Sequence, residues 1–174
     1  ARTMMLDDLR LLLAHTSASA SRAEYAEAIV GANVLGKATK KARELALRHL
    51  TVLYGLEVAN PIFRALRRLW PLDPAEQPVL ALAIALARDP LLLASDPFIL
   101  DMPTGTPVPR EDVETFLAAA FPDRFSAASL KSFAQNVAGT WTAAGYLHGH
   151  RRKTRAQVQA SPEAAALCLF LGFL

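Results

Sequence analysis

Five times in this chain an Asn, Asp or Ser stands directly before a proline: Asn60-Pro61, Asp73-Pro74, Asp89-Pro90, Asp96-Pro97 and Ser161-Pro162. The side-chain oxygen of such a pair can accept a hydrogen bond from a free first-turn amide. Proline at the next position loses nothing, because its amide would have had no partner there. Each pair therefore predicts a helix start. Short helices are expected near 61–70, 74–87, 90–94 and 97–101, with a last one after Ser161-Pro162. The loop Met102–Pro109 then precedes a helix at about 110–120. Alanine and leucine dominate while Val, Ile and aromatics are modest, which favours helix over sheet. The fold class expected is mainly all-α.

The N-terminal part predicts helices near 5–15, 22–32 and 39–54, with Gly31-Ala32-Asn33-Val34-Leu35-Gly36 as a glycine-bounded turn between the last two. Two helices joined by such a turn form a helix-turn-helix-like unit. In the third helix Ala42, Leu45, Ala46, His49, Leu50 and Leu53 recur at the spacing of one buried stripe. Lys40, Lys41, Arg43 and Arg48 fall on the opposite arc, with Lys37 just before it. Thr39 is the expected cap, which puts Lys40 and Lys41 in the first turn. There the helix dipole disfavours a cation by about 0.3–1 kcal/mol. Lysines in that place make sense where a phosphate docks; the competing reading is a solvated face.

The C-terminal part predicts a helix from Ser126 to about Ala144, striped by Leu130, Phe133, Ala134, Val137, Ala138 and Trp141 and closed by Gly145. Lys131, Gln135, Asn136 and Thr142 lie on its free face. Tyr146-Leu147-His148 reads as a short strand and Ala156-Gln157-Val158-Gln159 as its return, with Arg151-Arg152-Lys153-Thr154-Arg155 at the basic tip. Helix, ribbon and further helix together read as winged-helix-like. The expected organisation is residues 1–56, 57–122 and 123–174, sharing one body.

Charge follows that division. Residues 22–54 carry six Lys/Arg against three acids, residues 57–123 five against ten, and residues 124–174 six against one. Two basic ends flanking an acidic middle point to a polyanionic partner more directly than the net charge of +3 does. The Arg64, Arg67 and Arg68 cluster is expected to make ion pairs with the acidic middle, the alternative being DNA contact.

Enzymatic motifs are not evident. Gly105 lies in no phosphate-cradling pattern, and no Gly-x-Ser-x-Gly elbow occurs. His148 and His150 have no Cys, Asp or Glu nearby in sequence to complete a metal site. His15 and His49 read as helix-face histidines, and Trp70 and Trp141 as core aromatics. Asp96 reads as a cap, and Glu111, Asp112 and Glu114 as acids suited to a first turn. The single cysteine, Cys168, excludes an internal disulfide framework and is expected to be a buried small hydrophobe. The apolar run Val79–Ala87 is broken by Arg88-Asp89-Pro90, so it predicts a buried helix pair rather than a membrane span. A cytoplasmic protein with no cofactor is expected.

Three segments then resemble the BrxA family of the bacteriophage-exclusion (BREX) defence systems. Ala32-Asn33-Val34-Leu35-Gly36-Lys37, leading through Thr39 into a basic helix, is similar to that family's Asn-Leu-Leu-x-Lys element. Ser126-Ala127-Ala128-Ser129-Leu130-Lys131 is similar to its Ser-x-x-Thr-Leu/Lys segment, and Ser161-Pro162-Glu163 to its closing Leu-Ser-Pro-Glu. The resemblance implies an all-helical protein with helix-turn-helix-like parts, binding DNA without catalysis beside other BREX proteins. The residues themselves lead to the same expectation of a non-enzymatic binder of double-stranded DNA. Lys37, Lys40, Lys41, Arg43 and Arg48 would contact phosphates from the first module, and Lys131, Arg151, Arg152, Lys153 and Arg155 from the second. Gln135 and Asn136 are the side chains suited to base edges. The alternative is a protein–protein adaptor whose basic faces meet acidic partners and whose apolar C-terminal tail joins an interface.

Overall fold

A computed structural model describes residues 3–150, 152–159 and 161–174. Helix α1 (Leu6–His15) is followed by α2 (Arg22–Ala26), which runs on into a π-helical turn at Glu27–Gly31. Then come α3 (Lys40–Tyr54), α4 (Pro61–Leu69), α5 (Gln77–Arg88), α6 (Pro90–Leu100), α7 (Arg110–Ala120) and α8 (Ala127–Ala143). A two-stranded antiparallel ribbon, β1 (Leu147–His148) and β2 (Thr154–Arg155), precedes α9 (Pro162–Phe173). The described chain is thus mainly helical with one small ribbon near its C-terminus, the expected class.

Helix starts follow the caps. Asn60, Asp89 and Ser161 each accept a hydrogen bond from a first-turn amide, and each is followed by proline in the first turn. Ser21 and Glu24 form a reciprocal capping box at α2, and Thr39 accepts from the Ala42 amide at 3.1 Å.

Two of the five expected starts do not hold. Asp73 caps only a turn, accepting from Ala75 N at 2.9 Å, and α5 begins at Gln77. Asp96-Pro97 lies inside α6, which is one helix rather than two. Proline there forfeits one backbone hydrogen bond. The turn it sits in is held by tertiary packing, since Ile99 is fully buried and Phe98 stacks on Phe116 with centroids 4.7 Å apart.

The centre of the molecule is α5. Every residue from Val79 to Ala85 is buried, and the helix packs against α3, α4, α6, α8 and α9. A helix apolar on all sides has this fate in a core or in a membrane. No helix among the described residues is long and apolar enough to cross a membrane. One connected cluster of buried side chains runs from Met4 to Leu167, with Trp70 and Trp141 both in it.

The return strand is Thr154–Arg155, not the expected Ala156–Gln159. Its register sets Leu147 opposite Arg155 and His148 opposite Thr154. The far edge of β2 is also occupied: Val108 N donates to Lys153 O, Arg155 N to Thr106 O, and Gly105 N to Arg155 O, at 2.7–2.8 Å. The loop before α7 therefore lines the ribbon as a third, irregular edge, and this backbone pairing selects 154–155. Gly149 makes the turn possible, with φ at +105° and the Arg152 carbonyl oxygen 2.1 Å from where a Cβ would stand.

Candidate nucleic-acid interface

The first basic module starts at the cap of α3. Thr39 directs the chain so that Lys40 and Lys41 occupy the first turn, where no acid is present. Both are exposed, as is Arg48 two turns on. The Lys40 side chain is 77% exposed, and its nearest acid, Glu44, lies 4.0 Å away. Such a pair contributes little in water. Beside it, Arg22, Glu44 and Arg48 rim an open groove of about 410 Å³ between α2 and α3, floored by Leu47, Val52 and Leu56. Arg22 was not among the expected contacts; its place beside Glu44 and Arg48 emerges only when the two helices pack.

Lys37 and Arg43 are not part of this surface. The Lys37 ammonium donates to the Asp8 carboxylate at 2.7 Å, with side chains 32% and 17% exposed. The pair ties the segment before α3 to the start of α1. Arg43 is half-buried and donates from Nη1 to the Val30 carbonyl at 3.0 Å, closing the π-helical turn onto α3. The inter-helix segment 32–39 is further held by Asn33, which accepts from Lys37 N and donates to Lys37 O. Both expected phosphate contacts are consumed by structure.

The second module divides in the same way. Lys131 and Gln135 lie exposed one turn apart on α8, and Arg152 is exposed beside the ribbon. Asn136 is half-buried and has a partner of its own. Arg151 lies outside the described residues. Lys153 is half-buried and donates to Thr142 Oγ1 at 2.8 Å and to Gly149 O at 3.3 Å, pinning the ribbon turn to α8. Burial lowers its pKa from the ordinary lysine value. Arg155 is half-buried too. It donates to Ile99 O at 2.8 Å and to the carbonyls of Tyr146 and Ala156, with its guanidinium 5.4 Å from the Tyr146 ring centre. It is a clamp between ribbon and α6 rather than a phosphate contact.

A cleft of about 360 Å³ separates the start of α7 from α8 and the ribbon, lined by Arg110, Gln135, His150 and Lys153 over Val108 and Ala138. Arg110, unremarkable in sequence, is held by Glu111 and Glu114 at 2.7 and 2.6 Å, so its charge is largely answered locally. Arg124, also unexpected, is exposed and stacks over Phe121 and Phe125.

The central arginines behave differently from the expectation of ion pairs. Arg67 donates to the carbonyls of Leu13 and Thr16 at 3.1 and 2.8 Å, answering the free C-terminal carbonyls of α1. Arg64 donates to Val58 O, and neither it nor Arg68 is ion-paired with a described residue. Cys168 is exposed rather than buried. Burial of part of the thiol and the nearby Asp96 carboxylate both raise its pKa, the reverse of what a nucleophile needs. Among the described residues no three His, Cys, Asp or Glu side chains are grouped to hold a metal.

Comparison with protein-family models, with curated proteins and with solved structures found no match to this chain.

Proposed function

We propose that this protein binds duplex DNA through phosphate contacts, without catalysis, using a smaller set of side chains than its basic composition suggests. The observation that carries the reading is Lys40 and Lys41, both exposed in the first turn of α3 where the helix dipole opposes them. An anion docked on that turn offsets the cost. Arg48 extends the same face, while Lys131, Gln135 and Arg152 offer a second. Gln135 is the one candidate for a base edge that is both exposed and amide-bearing. A place among the proteins of a phage-exclusion system is the context that the sequence resemblance suggests for such a binder.

The test is fluorescence anisotropy with a labelled 25-base-pair duplex of arbitrary sequence across a salt series. Each released phosphate counterion contributes a slope of about −0.9 to log affinity against log salt. Five exposed cations predict roughly −3 to −5. K40E/K41E should remove about two units of that slope, while the acids it introduces suit the first turn of α3 and leave folding intact. An affinity independent of salt, or unchanged in K40E/K41E, sinks the proposal.

A further inference from the structure

The surface between α4 and α9 combines two features that the DNA reading does not use. Its floor is apolar: a groove of about 300 Å³ is lined by Ala65, Leu69, Ala166 and Phe170. One wall is cationic, because Arg64 and Arg68, one turn apart on α4, rim the same groove. The other side opens onto the outer face of α9, where Leu169 is 77% and Phe173 87% exposed. From Ala164 to Leu174 that helix carries no charge at all. Side chains of this size left in water in a contiguous row mark an interaction surface rather than chance exposure.

We infer that this groove docks an amphipathic helix of a partner protein, with leucine-type anchors on one face and acids along one flank. Charge complementarity selects that occupant. Arg64 and Arg68 have no acid among the described residues to answer them, so a one-sided acidic flank completes the pairing while the apolar face fills the groove. A second copy presenting the same face supplies the wrong chemistry. Docked through the same surface, it sets Arg64 and Arg68 against a second pair of arginines. The inference is independent of DNA binding, since α3, α8 and the ribbon take no part in this surface.

The probe is a fluorescein-labelled, lactam-stapled helical peptide with Leu at i, i+3, i+4 and i+7 and Glu along one flank. A scrambled peptide and a Glu→Lys version serve as controls. Saturable binding of the acidic peptide, at least tenfold tighter than either control, is expected. R64E/R68E should weaken it at least tenfold and favour the Lys peptide instead. L169S/F173S should abolish both. All four positions are at least partly solvent-facing, and circular dichroism of each variant confirms that it is folded. Three results overturn the inference: no binding of the acidic peptide, equal binding of all three peptides, or no charge reversal in R64E/R68E. Two further measurements expose the competing occupants. Flotation with phosphatidylserine vesicles that is lost in L169S/F173S, without peptide binding, assigns the face to a membrane surface. A dimer in sedimentation equilibrium that the same variant dissociates assigns it to a second copy.

Discussion

Asp96 sits inside α6, where burial and the nearby Asp101 carboxylate both raise its pKa above the ordinary carboxylate value. The folded state therefore holds this proton more tightly than the unfolded chain does. Its contribution to stability is full below the ordinary value and is lost as pH rises through the raised one. Asp96→Asn should then match the wild-type thermal midpoint near pH 3 and exceed it at pH 7. Calorimetry at the two pH values checks this, and a gap that does not open with pH refutes it. The same variant carries a second readout. With the Asp96 charge gone, one of the two causes that raise the Cys168 pKa disappears, so alkylation by iodoacetamide at pH 8 should accelerate severalfold. An unchanged rate would mean that burial alone governs the thiol. Deeper in the core, Trp141 Nε1 donates to Ser95 Oγ at 2.8 Å, and Ser95 in turn donates to Leu92 O at 2.6 Å. Both residues are fully buried. Ser95→Ala leaves the indole N–H without a partner and should cost about 1–3 kcal/mol in urea unfolding. A loss under 0.5 kcal/mol would show that the indole finds another acceptor.

Among the elements, the ribbon depends on one backbone conformation. Gly149→Ala places a methyl group against the Arg152 carbonyl in a left-handed turn, and should cost about 1–3 kcal/mol. Lys153 donates to the Gly149 carbonyl, so the ribbon turn and its pin to α8 should loosen together. Amide exchange at Arg155 and Ala156, whose N–H groups bond to Thr106 and Tyr146, reports the loosening directly. Protection as strong as in the wild type would place the hold elsewhere. Helices of this protein are legible in its sequence because their signals are local. Caps at Thr39, Asn60, Asp89 and Ser161, and the stripe through Ala46, Leu50 and Leu53, lie within a few residues of what they specify. Asp96-Pro97 misleads for the same reason. A local start signal is overridden by the burial of Ile99 and by Phe98, whose stacking partner Phe116 lies outside α6. The return strand shifts by two residues because the loop before α7, some fifty residues upstream, decides its pairing.

On the scale of the whole molecule, the basic ends are only partly surfaces, and the sequence could not reveal which part. Lys37 meets Asp8 29 residues away, Arg155 meets Ile99 56 residues away, and Arg67 meets Leu13 54 residues away. Lys37 and Arg155 looked free, and Arg67 looked ion-paired, because each true partner is distant in the chain. The two modules are also tied to each other: Tyr54 of α3 donates to Met4 O, and Met4 N donates to Thr140 Oγ1 of α8 at 3.0 Å. Cations that hold this body together and cations left for the proposed DNA contacts should therefore separate into two experimental classes. Removing a structural cation lowers stability and leaves the salt slope of DNA binding in place. Removing an exposed one does the reverse. Lys153→Gln and Arg155→Gln belong to the first class, and should lower the unfolding free energy by about 1–3 kcal/mol by stranding the acceptors they bond. K40E/K41E and K131E belong to the second, and should cut the slope by roughly two units and one unit, additively if both faces engage one duplex. Urea unfolding and the anisotropy salt series, run on all four proteins, give a two-by-two outcome. If Arg155→Gln flattened the salt slope as much as K131E while leaving stability untouched, the separation of structural from DNA-facing charge would be wrong.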